Sequence, residues 1–155
     1  MIAITYSAKE KLMMLKKLTP NLMVEDVNLT LEFYENMLGF EVVATVPETG
    51  QWVWAMTKHG HVELMFQARS SLGEEVPVLK AVPLGASQTF YVEVTNVTNW
   101  YERLKDKVEI VADLHTTFYG TQEFYFKDCN GYILGFSEAA QQAESVDEGT
   151  SGNNS

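Results

Sequence analysis

Residues 59–66 read HGHVELMF, and three of them, His59, His61 and Glu63, carry side chains of the kind that bind divalent metals. Imidazole and carboxylate suit zinc, nickel and iron. Read as one strand, the stretch alternates, and alternation places all three groups on one face. A strand advances about 3.3 Å per residue, so His59 and Glu63 would stand roughly 13 Å apart, too far to share one ion. His61 and Glu63 make half a site at i and i+2. His115, in DLHTTFYG, completes it only by swinging inward. The plainer reading makes His61 a hydrogen-bonded wall residue and His59 a turn residue before Gly60.

Other chemistry is sparse. No Ser–His–Asp or Cys–His arrangement has a signature here. Cys129 is the single cysteine, and in DCNGY its one basic neighbour is Lys127, too little to create a reactive thiolate. GTQEFYFKDCNG reads as a hairpin, not a phosphate-cradling loop.

The elements that must position these groups belong to one domain of 155 residues. A formal charge of −10 argues against nucleic acid and against anionic membrane surfaces. No apolar run approaches bilayer length. The first residues lack the ordered regions of a signal peptide, and one cysteine fits a reducing compartment, so a cytoplasmic location is expected. Residues 1–15 read as an N-terminal extension and 140–155 as a disordered acidic tail.

The chain repeats itself. LMVEDVNLTLEFYENMLGFEVVA starts at Leu22, and VEVTNVTNWYERLKDKVEIVA starts at Val92, 70 residues later. Each copy opens with a short apolar strand (18–25; 89–95) ending at Asp26 or Asn96, a residue able to cap a helix through its side chain. An amphipathic helix follows, with Val27, Leu31, Tyr34 and Leu38 on one stripe and Val97, Trp100, Tyr101 and Leu104 on the other. Gly39 ends the first helix. Three alternating strands come next: 40–46, 51–57 and 61–67, then 108–112, 121–127 and 132–137. The expected class is α+β, a single domain over 16–139 built from two tandem βαβββ modules, 16–68 and 87–138. Gly73, Pro77, Pro83 and Gly85 mark 69–86 as a linker.

LMVEDVNLTLEFYENMLGFEVV and YGTQEFYFKDCNGYILGF resemble the opening and closing motifs of the vicinal oxygen chelate superfamily, which includes glyoxalases, extradiol dioxygenases and bleomycin-resistance proteins. The resemblance spans about residues 17–138 and implies a half-open barrel with a central cleft, in a homodimer. It also implies metal-ligand positions at Thr19, Glu63, Thr89 and Gly135. Only Glu63 is a good ligand, which points to the metal-independent bleomycin-resistance branch and to no cofactor.

The same positions set strand parity. Asn21, Met23, Tyr91 and Glu93 then face the cleft with Thr19 and Thr89, and Leu22, Val24, Phe90, Val92 and Val94 face the helices. His61, Glu63, Met65, Ile133 and Ser137 also point inward, as do Trp52, Trp54, Met56, Glu123 and Tyr125. Phe124 and Phe126 pack on the helix. Glu93 and Glu123 fall near strand ends, where solvation is the alternative to a cleft role. The expected ligand-binding set is Trp52, Trp54, His61, Glu63, Tyr91, Glu93 and Tyr125, an aromatic and acidic surface suited to a cationic or aromatic small molecule. The alternative is a glyoxalase-like lyase, isomerase or dioxygenase, using a degenerate metal site around His61 and Glu63 or Glu63 alone as a general base.

Overall fold

The computed structural model describes residues 2–5, 7–8 and 12–140. The expected acidic tail, apart from its first residue, lies outside them. Two compact units emerge: one runs to Gly85 and includes Cys129–Gly131, and the other takes Ala86–Asp128 and continues from Tyr132.

In the first unit, β1 (Asn21–Val24), α1 (Val27–Leu38), β2 (Glu41–Val46), β3 (Trp54–His59) and β4 (Val62–Ala68) form a βαβββ module. The sheet order is β1-β4-β3-β2, with β1 parallel to β4 and the other pairs antiparallel. Asp26 caps α1 as expected, its carboxylate accepting from the Leu29 amide at 2.9 Å. Gly39 ends the helix with φ 73°, a left-handed conformation that a residue with a Cβ adopts only at a cost. Val27, Leu31, Tyr34 and Leu38 are all buried. Tyr34 sets its ring 4.6 Å from Phe66 and 5.4 Å from Phe40, locking α1 onto the sheet.

The second unit repeats the plan with β5 (Thr89–Glu93), α3 (Val97–Leu104), β6 (Glu109–Thr116), β7 (Thr121–Lys127) and β8 (Ile133–Ala139), in the order β5-β8-β7-β6. Its core is a phenylalanine cluster. Phe124 and Phe126 stack at 5.7 Å, and Phe136 meets Phe126 edge-on at 5.1 Å. Trp100 and Tyr101 of α3 close over them, 5.3 Å from Phe136 and Phe124. Full burial of each such ring contributes about 1.5–3 kcal/mol.

These elements bear out the α+β class and the two βαβββ modules. The eight strands make two separate four-stranded mixed sheets, not one closed barrel. Strand bounds shift, β3 to Trp54–His59 from the expected 51–57 and β6 to Glu109–Thr116 from 108–112, and three further details differ from expectation. Asn96 does not cap α3 through its side chain; it sits at φ 57°, and Glu138 of β8 accepts from the Asn96 and Val97 amides at 2.8 and 3.2 Å instead. A carboxylate there also complements the positive end of the helix. The linker contains a short helix, α2 (Arg69–Glu75), and a 3-10 turn at Pro77–Leu79. Strand β1 starts at Asn21, because Pro20 has no N–H to donate; its carbonyl still accepts from Met65 at 2.9 Å.

Candidate ligand-binding site

The HGHVELMF stretch is not one strand. His59 ends β3, Gly60 and His61 form the turn, and β4 begins at Val62. The turn reverses the chain, so His59 lies on the helix-side face, its ring 5.7 Å from Phe40, while Glu63 lies on the other face. His61 is exposed in the turn. The single-strand alternation of the three groups is thereby lost.

On the face of the first sheet away from α1 stand Trp54, Met56, Glu63, Met65 and Gln67, as the register Trp54↔Gln67 and Met56↔Met65 requires. Polar groups here find partners within the unit. Glu63 is neutralised by Lys17, and its buried Oε2 meets the ammonium as an ion pair rather than an aligned hydrogen bond. Gln67 is buried; it accepts from Asn21 at 2.7 Å and donates to Ser71 and Glu75 at 2.8 and 2.9 Å. Trp52, expected on β3, precedes that strand: its amide donates to Asn28 Oδ1 at 2.9 Å. Its indole N–H is buried with no acceptor among the described residues.

The second sheet differs. Across its four strands the register sets Glu93, Ser137, Glu123 and His115 in one row and Tyr91, Gly135, Tyr125 and Ala112 in the next. Glu123 is 3% exposed, so the strand-end solvation considered for it does not occur. Four hydroxyls surround it. Tyr119 and Tyr125 reach Oε1 at 2.7 and 3.3 Å, and Thr121 and Tyr91 reach Oε2 at 3.1 and 3.2 Å. Tyr91 Oη also lies 2.7 Å from Ser137 Oγ. A phenol has one proton, so Ser137 donates to Tyr91 when Tyr91 donates to Glu123. His115 belongs to β6 rather than a loop, and its Nδ1 lies 2.7 Å from the Asp113 carbonyl oxygen. Among the described residues no cationic nitrogen lies within ion-pair distance of Glu123.

Burial pushes the Glu123 carboxyl up, but hydrogen bonds from Tyr119, Thr121, Tyr91 and Tyr125 outweigh it and hold the group below its ordinary range. Its charge in turn raises its neighbours. The hydrogen bond to Glu123 lifts the Tyr119 phenol, and burial followed by the Glu123 charge lifts that of Tyr125. The site is therefore a fixed negative charge, shielded by neutral donors and bordered by two half-exposed rings, Tyr91 at 50% and Tyr119 at 55%.

Of the sequence-predicted set, Tyr91 and Tyr125 meet at this carboxylate. Trp54 and Glu63 share a sheet face but stand at opposite ends of the β3–β4 hairpin, opposite Gln67 and Lys58. Glu93 is exposed, one strand beyond Ser137. The predicted set omitted Glu123, Tyr119, Thr121 and Ser137. A signal for three of them was present: residues 119, 121, 123 and 125 read Tyr, Thr, Glu, Tyr at every second position.

The residues at the metal-ligand positions do not fit a metal. Thr19 and Thr89 offer only hydroxyls, and Glu63 is held by Lys17. Gly135 has no side chain, and a Cβ there would fall 2.4 Å from Tyr125 Cε1, so the tyrosine ring fills the space a ligand would need. No group of three or more His, Cys, Asp or Glu among the described residues could hold an ion.

Two βαβββ modules in tandem, each with polar side chains on the sheet face away from its helix, define the class of fold. The chain belongs to the Glyoxalase/Bleomycin resistance protein/Dioxygenase superfamily, which residues 16–136 match. No curated protein matches it. Among solved structures, a protein of unknown function from Agrobacterium tumefaciens str. C58 is 19% identical with TM-score 0.69, covering 82% of this chain and 96% of that one. A glyoxalase/bleomycin resistance protein/dioxygenase from Nocardioides is 18% identical with TM-score 0.67, covering 87% and 92%. TioX from Micromonospora sp. ML1 is 17% identical with TM-score 0.64, covering 80% and 98%. At these identities the likeness is one of fold. No helix among the described residues is long and apolar enough to cross a membrane.

Proposed function

We propose that the chain is a metal-independent binding protein that sequesters a small cationic, aromatic compound, as bleomycin-resistance proteins do. One observation carries this reading: Glu123 is buried and surrounded by four hydroxyls, and no cationic nitrogen among the described residues lies within ion-pair distance of it. A buried carboxylate normally finds a counter-charge. Here a ligand's positive charge supplies it, and the exposed rings of Tyr91 and Tyr119 give that ligand aromatic surface. The depressed carboxyl favours binding over catalysis, because a carboxylate that holds its proton weakly is a poor general base at neutral pH.

The test is a thermal-shift and calorimetry screen of matched cationic, neutral and anionic aromatic compounds against the wild type and Glu123→Gln. Cations should raise the melting temperature of the wild type and lose that effect in the variant, whose own melting curve reports its folding. Preference for anions, or cation binding undiminished in a folded Glu123→Gln protein, overturns the reading.

A further inference from the structure

The hydrogen-bond inventory at Glu123 narrows the ligand class further, on the footing of the cation-binding reading above. A carboxylate offers about four lone-pair sites. Hydroxyls of the chain face all four: Oε1 takes Tyr119 and Tyr125 at 2.7 and 3.3 Å, and Oε2 takes Thr121 at 3.1 Å and, with Ser137 donating to Tyr91 Oη, Tyr91 at 3.2 Å. The charge remains, but the acceptor capacity does not.

That separation of charge from acceptor capacity discriminates between cations. A primary ammonium is strongly hydrated through its N–H groups, and a guanidinium, more weakly hydrated, still carries a fork of N–H donors; both recover their lost hydrogen bonds by donating directly to a carboxylate. Here either would meet a carboxylate with no free lone pair, and only the weaker oxygens of neutral phenols. A cation without N–H donors gives up no donor hydrogen bonds on entering, and it is attracted equally by the buried charge and by the faces of aromatic rings. Three of the four donors are tyrosines, so the groups that saturate Glu123 also bring rings to the site.

We propose that the Glu123 site selects an organic cation lacking N–H donors, a quaternary ammonium or an N-alkylated heteroaromatic ring, over primary ammonium and guanidinium compounds. The saturated carboxylate excludes a direct salt bridge, and the tyrosine rings supply the contact that replaces it.

Benzyltrimethylammonium and benzylammonium differ in N–H donors while sharing a ring and a charge, and benzyl alcohol is their neutral control. Chemical-shift titration of the full chain at constant pH and ionic strength should find benzyltrimethylammonium binding about tenfold tighter or more. Tyr119→Phe removes the shortest donor and frees a lone pair on Oε1, so it should narrow the ratio by improving benzylammonium. Benzylammonium binding as tightly as its methylated counterpart, with both lost in folded Glu123→Gln, overturns the selectivity and leaves the cation reading standing. A Tyr119→Phe protein that folds but keeps the full ratio overturns the saturation argument. Neither cation exceeding benzyl alcohol sinks both readings.

Discussion

The two modules share a strand order and a parity, yet they treat an acidic residue on the sheet face away from the helix in opposite ways. In the first, Glu63 is joined by Lys17 and only partly buried. In the second, Glu123 is almost wholly buried and, among the described residues, is stabilised by hydroxyls. A lysine partner cancels charge and consumes the site. Neutral donors spread the charge over their dipoles without cancelling it. The same duplicated scaffold thus carries a self-neutralised face and a charged one, and the difference rests on a few side chains rather than on topology.

The sharpest way to break this contrast is to remove each charge while keeping its shape. Glu123→Gln turns two acceptor sites into donors facing hydroxyls that already donate, and it should cost about 1–3 kcal/mol in urea unfolding. Glu63→Gln removes one half of a partly exposed pair and should cost within about 1 kcal/mol. Equal costs would abolish the distinction. Gly135→Ala places a methyl group against the Tyr125 ring, whose nearest atom is 2.4 Å from the ideal Cβ. It should destabilise by about 1–3 kcal/mol and weaken cation binding, because the ring that moves also donates to Glu123.

The pH dependence sharpens the contrast at smaller scale. The folded carboxyl of Glu123 is depressed, so its stabilising contribution is complete above the ordinary unfolded value, about 4.3, and is lost as pH falls through the folded value below it. Melting temperatures from pH 7 to 2 should show an acid limb that flattens in Glu123→Gln. The phenols run the other way: Tyr119 and Tyr125 are raised, so their contribution holds below about 10 and disappears as pH rises further. Spectrophotometric titration of Tyr119→Phe should lose one late-ionising phenol. The smallest expected effect is Trp52→Phe, which removes an indole N–H buried without an acceptor among the described residues and should leave stability unchanged within about 1 kcal/mol.

Much of the fold was legible in local pattern. Val27, Leu31, Tyr34 and Leu38 follow the helical period and are all buried, Asp26 and Gly39 bound their helix, and Thr121–Lys127 is the predicted strand to the residue. Strand alternation sorted Phe124 and Phe126 from Glu123 and Tyr125 correctly, since period two is a local property of an extended chain. The HGHVELMF reading failed for an equally local reason: the period continues only while the strand does, and the turn at Gly60 and His61 reset it.

The sequence alone therefore determined the buried stripe of the first helix and the alternation within β7, where the period runs unbroken. Only the tertiary structure decided which partners meet across strands. Tyr91 of β5 reaches Glu123 across β8, Tyr119 reaches it from the turn before β7, and Lys17 reaches Glu63 from outside its sheet. Glu138 rather than Asn96 caps a helix 41 residues away. Such pairings depend on register and on crossings between distant segments, which sequence periodicity does not encode, and the charge state of a buried carboxylate depends on those pairings.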